Sequence, residues 1–183
     1  GEAGLEEVQD ASAALLSTAS LGVPGTAVVP AIEGTRPLLV EIQSLVGKAP
    51  SSESAGPSFP PRRSATGFDP ARMHMILAIL ERRAGISVAA RDVYVNVAGG
   101  LRLSEPAADL ALALSIAGNV RDRALPEGTI VIGELGLTGE VRRVGRLEAR
   151  LEEARRRGFT RAIVPRGAGA ARTPGLEVVE VRD

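Results

Sequence analysis

The chain has no cysteine and no tryptophan, one histidine, one tyrosine and three phenylalanines. Its single lysine, Lys48, stands against arginine at every other basic position. Without cysteine there is no disulfide, no thiolate nucleophile and no cysteine zinc site. One histidine, His74, and scattered carboxylates give no metal-ligand spacing; His74 is expected on the solvent side of a helix. No apolar run reaches the ~18 residues of a membrane-spanning helix, so no membrane partner is expected, and the missing cysteines fit a cytoplasmic setting. Gly47-Lys48 lacks the first glycine and the following hydroxyl of a phosphate loop. Gly133, Gly136 and Gly139 read as turn glycines. No metal or nucleotide cofactor is therefore expected on these residues. The few aromatics also argue against a base-stacking platform for single strands.

What is present is aliphatic. Ala, Val, Leu and Ile dominate a hydrophobic content of 44% in 183 residues, enough for one globular core. Acidic and basic residues balance at 22 each, but in blocks: net −5 over residues 1–60, +4 over 61–91, −4 over 92–140 and +5 over 141–183. The start, Gly-Glu-Ala-Gly, without an initiator methionine or signal sequence, is expected to belong to a fragment of a longer protein.

The chain is organised around Asp92 to Gly118. Val93, Val95 and Val97 alternate with Tyr94 and Asn96 as a buried strand, Gly99-Gly100 turns the chain, and a helix apolar almost all round begins at Pro106, where proline needs no backbone N–H. Earlier, Ala27 to Ile32 and Pro37 to Val46 read as a hairpin about Gly34. Residues 47–66, rich in Pro, Ser and Gly, read as a long mobile surface loop. Asp69-Pro70 caps a helix that stops near Gly85. Thr129 to Glu134 reads as one strand with Glu140 to Arg143 as its hairpin mate. Arg146 to Arg157 reads as an amphipathic helix with Glu152–Arg156 and Glu153–Arg157 pairs on its exposed face, stopped by Gly158. Arg161 to Pro165 and Leu176 to Val181 are final strands. Without a regular βαβ repeat the class is α+β.

The segment Val95-Asn-Val-Ala-Gly-Gly100, the helix of Glu105-Pro106-Ala107-Ala108-Asp109, the Gly133-Glu134-Leu135-Gly136-Leu137-Thr138-Gly139-Glu140 hairpin and Gly145-Arg146-Leu147-Glu148 together resemble the proteolytic domain of Lon-type proteases. The family's serine lies in a Gly-Pro-Ser-Ala-Gly turn, where this chain has Ala107. Its lysine follows a Gly-Gly-Leu step, where this chain has Glu148. With both dyad positions replaced, no catalytic residue is assigned. Ser104 and Ser115 lie nearby, but neither has a base in sequence, and Lys48 sits in a loop where burial is not expected. The pattern, with Glu33-Gly34-Thr35-Arg36-Pro37 and Arg161 to Pro165, more closely resembles the Lon-like C-terminal domain of the RadA (Sms) family of bacterial DNA repair ATPases.

That resemblance implies a Lon proteolytic-domain-like mixed sheet packed with helices over residues 25–183, with residues 1–24 the tail of a preceding RecA-like ATPase domain. It also implies a ring-shaped homo-oligomer, a hexamer, acting on DNA with recombinase and replication or repair partners. ATP, magnesium and zinc would be held by the rest of such a protein. Arginine forks suit phosphates. Arg62 and Arg63 beside Pro60-Pro61, Arg72 nine residues on, and Arg83 three turns after Arg72 are the candidate DNA contacts. Arg142, Arg143 and Arg146 are a second set, for DNA or a subunit interface. Glu105 and Asp109, flanking the helix start, are expected to favour its dipole or to meet a neighbouring subunit's arginine. A protein-interaction module that never touches DNA is the competing reading.

Overall fold

The computed structural model describes residues 16, 21–48, 59–168 and 173–183. The hairpin forms as expected: β1 (Thr26–Glu33) pairs antiparallel with β2 (Arg36–Val46), Glu33 opposite Arg36. Gly34 takes the left-handed conformation at the turn, φ 60°, which glycine adopts without a steric penalty. β3 (Arg63–Thr66) corrects the loop expected over 47–66, because its last four residues run parallel to β4 (Val93–Val97). Residues 49–58 of that expected loop lie outside the described residues.

Helix α1 (Pro70–Arg83) starts where Asp69 accepts from the Ala71 amide at 2.9 Å, a cap worth about 1 kcal/mol. It ends before Gly85, φ 63°. His74 on it is exposed. A short 3-10 turn, Pro106–Ala108, opens α2 (Asp109–Arg121), and the run from Asp109 to Ala113 is buried. The expected strand from Thr129 to Glu134 is divided. β5 (Thr129–Val131) enters the main sheet, while β6 (Glu134–Leu135) leaves it to pair with β7 (Val141–Arg142). Then follow α3 (Leu147–Arg156), β8 (Arg161–Pro165) and β9 (Glu177–Val181).

The main sheet has seven strands in the order β3-β4-β2-β1-β5-β8-β9. The pairs are parallel except β1–β2 and β2–β4, a mixed arrangement consistent with an α+β fold. Side-chain alternation sorts it into two faces. Ala27, Val29, Val40, Ile42, Val93 and Val95 meet α1 and α2. Val28, Leu39, Ile130 and Ala162 meet Leu151 and Ala154 of α3 on the other face. Leu16 and Leu21, from the stretch expected to end a preceding domain, pack against that second core. The rest of residues 1–20 lies outside the described residues.

Candidate functional site

The central turn is held from several directions by main-chain bonds. Gly133 N–H donates to Ala107 at 3.0 Å, and Leu110 N–H donates back to Gly133 at 3.0 Å. Ala107 is 3% exposed, so a methyl group fills the place where the resemblance puts a nucleophile. Glu148, which stands where the resemblance puts the lysine, is exposed. The basic side chain that α3 sends toward the turn is Arg150, which is 4% exposed. Two residues along a helix turn a side chain by about 200°, enough to move it from solvent to the interior.

Arg150 uses its whole fork there. Nη1 and Nη2 donate to Glu105 at 2.9 and 2.7 Å, Nη1 also to the Pro30 carbonyl at 2.7 Å, and Nε to the Gly145 carbonyl at 2.9 Å. Glu105 also accepts from the Ile32 amide at 2.8 Å. A guanidinium does not give up its proton in proteins, so this group supplies charge and geometry, not a general base. Of the two serines nearest the turn, Ser104 is exposed, while Ser115 is buried and donates to the Ser44 hydroxyl at 2.8 Å.

On the other side of the turn, Asp109 is fully buried. It accepts from Arg72 Nε and Nη2 at 2.5 Å each and from the Leu135 amide at 3.1 Å. Burial pushes the Asp109 carboxyl above its ordinary range, against the pull of Arg72. The bond to Asp109 raises Arg72 in turn. Glu105 and Asp109 thus meet arginines of their own chain, correcting the expectation of a neighbouring subunit's.

The candidate DNA contacts divide accordingly. Arg63 turns inward and donates to the carbonyls of Val88, Ala89 and Arg91; burial lowers its pKa. Arg72 is bound to Asp109. The expected Arg62–Arg63–Arg72 cluster is therefore not brought together as an outward-facing set. Arg62 remains exposed, its amide held by Asp92 at 2.7 Å. Arg83 is exposed and packs beside Gly139 of the β6–β7 hairpin. Arg142 is paired with Glu140 at 2.6 Å, and Arg146 donates to the Thr35 carbonyl at 2.8 Å. On α3, Glu152 pairs with Arg155 at 2.6 Å rather than Arg156. Glu153, expected on the exposed face, is 9% exposed and pairs with Arg157 at 2.8 Å.

The hairpin joins what the sequence leaves apart. Val141 N–H donates to the Arg182 carbonyl at 2.9 Å, and Arg166 N–H to Val181 at 2.7 Å. Arg143 lies against Gly167. Exposed Arg83, Arg143, Arg166 and Arg182 therefore surround one β-hairpin. Arg166 and Arg182 were not singled out from sequence, where each is an isolated charge at a strand end. Among the described residues no group of His, Cys, Asp and Glu could hold a metal ion, and no helix is long and apolar enough to cross a membrane.

The family described as Subunit ChlI of Mg-chelatase matches residues 67–168, from the approach to α1 through β8. Curated relatives named DNA repair protein RadA match almost the whole chain. That of Halalkalibacterium halodurans is 50% identical over 90% of the chain and 34% of the relative. That of Bacillus subtilis is 45% identical over 98% of the chain and 38% of the relative, and that of Escherichia coli 42% identical over 99% and 38%. The chain spans about a third of the length of these relatives. With more than half of its residues matched by the family, the chain belongs to the ChlI family, and its similarity along nearly all its length is to the C-terminal domain of RadA repair proteins.

Proposed function

We propose that this is a Lon-like, non-proteolytic scaffold and DNA-binding domain of a RadA-type repair and recombination ATPase, which tracks the DNA backbone through arginines and supports a hexameric ring. The observation that carries the reading is the convergence of Arg83, Arg143, Arg166 and Arg182 on the β6–β7 hairpin. Meanwhile Arg63 and Arg72 are consumed by the fold. Exposed guanidiniums without a base-reading partner suit phosphate contacts, which are independent of sequence and sensitive to salt. Loss of proteolysis is supported by the methyl of Ala107 and by the four-way engagement of Arg150. In a whole protein of this kind, ATP, magnesium and zinc would be bound outside this chain, recombinases and replication or repair proteins would be its partners, and the cytoplasm its compartment. Fluorescence anisotropy of labelled DNA across a salt series, with light scattering for assembly size, tests the reading. Salt-sensitive binding and a ring-sized particle are expected; no affinity for DNA at low salt would overturn it.

A second reading, a protein-interaction module, is favoured by one feature. A concavity of about 520 Å³ between α1, α2 and the hairpin is floored by Leu80, Leu110 and Leu114, with Arg83 and Arg121 on its lining. A partner binding there in the absence of DNA affinity would select this reading.

A further inference from the structure

Helix α3, of ten residues, packs through Leu151 and Ala154 against four strands, at Val28 of β1, Leu39 of β2, Ile130 of β5 and Ala162 of β8. The sheet has seven. On the face α3 covers, no helix among the described residues packs on the half formed by β3, β4 and the end of β2, and the register lines its side chains into two rows. Ser64, Tyr94 and Leu45 form one; Thr66, Asn96 and Gln43 form the other, with Thr26 beyond Gln43. Leu45 is 64% exposed and Tyr94 38%. These residues line a concavity of about 470 Å³, and none of the described residues lining it is charged.

Charge stands beyond the two rows, at the strand ends. Asp92 accepts from the Arg62 amide at 2.7 Å, and its carbonyl accepts from the Gly47 amide at 2.8 Å, which gathers exposed Arg62 and Lys48 around it. At the other end exposed Arg102 shares a second concavity with Thr66 and Asn96. Gln43 donates its amide nitrogen to buried Glu41 at 2.6 Å, which fixes the orientation of that amide.

We infer that this half-sheet is a base-contact site for single-stranded DNA. Tyr94 provides the stacking face, Asn96 and Gln43 the amides for base edges, and Arg62, Lys48 and Arg102 the phosphate contacts at either end. An uncharged, hydrogen-bonding floor with one aromatic ring and cationic ends complements a strand whose bases are turned toward the protein and whose phosphates run outside. A duplex hides its base faces and finds nothing to stack here. Composition argued against such a platform because aromatics are scarce; one ring placed at the centre of a pleated face is sufficient for one base. The inference rests on the DNA-binding reading and adds to it a site on the sheet, away from the hairpin arginines.

Because Tyr94 is the only tyrosine and tryptophan is absent, 3-fluorotyrosine places a single fluorine reporter at the site. The labelled 183-residue chain is titrated with single-stranded oligothymidylate, with duplex DNA of equal length and with inorganic polyphosphate. The fluorine resonance is expected to move with the single strand and to stay with the other two. Tyr94→Leu is expected to weaken single-strand affinity roughly tenfold while Tyr94→Phe holds it and duplex affinity is unchanged in both. A single strand that binds without moving the resonance, a resonance moved equally by polyphosphate, or unchanged affinity in folded Tyr94→Leu would each overturn the site. Those results leave the proposed function standing; no binding of any DNA removes both.

Discussion

Arg150 of α3 holds Glu105 at the entrance to the central helix with two bonds of 2.9 and 2.7 Å, and the arginine is almost wholly buried. This pair ties together β1, the central turn and α3. Removing one partner of a buried pair strands the other charge, at a cost of about 3 kcal/mol. Arg150→Met is expected to lower unfolding free energy by about that amount in urea denaturation. Glu105→Gln in the same chain should recover part of the loss, because it removes the stranded charge and keeps an acceptor for Ile32. A single variant within about 0.5 kcal/mol of the parent would show that the pair contributes little.

Arg72 makes a prediction of opposite sense to its reading from sequence. It neutralises fully buried Asp109, so Arg72→Ala should cost about 3 kcal/mol of stability. The affinity of the folded protein for DNA should not change. Denaturation and anisotropy on the same preparation separate the two. Weakened DNA binding at unchanged stability would restore Arg72 as a phosphate contact.

The hairpin carries a titration marker. Glu140 accepts from the Thr138 hydroxyl and from Arg142, and these hold its carboxyl down to about 2. A depressed carboxylate stabilises the folded hairpin above its unfolded value of 4.5 and loses that contribution as pH falls toward about 2. Carbon-detected NMR titration should place the Glu140 midpoint well below the other exposed glutamates. Thr138→Ala, which removes the largest cause, should move it upward. A midpoint near 4.5 in the parent would mean the hairpin carboxylate is not held this way.

Gly67, between β3 and α1, has φ 78°, and a Cβ there would stand 2.4 Å from the Leu101 carbonyl oxygen. Gly67→Ala is therefore expected to destabilise by about 2 kcal/mol or more, from backbone strain and the clash together. A drop of several degrees in thermal midpoint would be seen by circular dichroism. An unchanged midpoint would require the Leu101 loop to shift freely.

Local rules made much of the fold legible. Asp69-Pro70, the valine alternation of β4, the turn at Gly34 and the apolar helix after Pro106 each carry their signal within a few residues. β3 was hidden because Arg63-Ser-Ala-Thr66 has no apolar alternation and becomes a strand only through its pairing with β4. The division of Thr129 to Glu134 depends on which strands wait on either side, information no local window holds. The ion pairs join positions 37 and 45 residues apart, so the sequence displayed the arginines without their partners. Exposed and bound arginines look alike in a string of letters. Glu148 in solvent and Arg150 in the interior, two residues apart, show how helical phase sorts near neighbours between the two.

The most direct measurement is the slope of DNA affinity against salt concentration, for the parent chain and for a chain with Arg83→Ala, Arg143→Ala and Arg166→Ala together. Each phosphate contact contributes about 0.7–0.9 to the slope of log affinity against log salt. The account predicts steep salt dependence in the parent, and weaker binding with a slope reduced by roughly two in the variant. Equal affinity and equal slope in the two chains would contradict it.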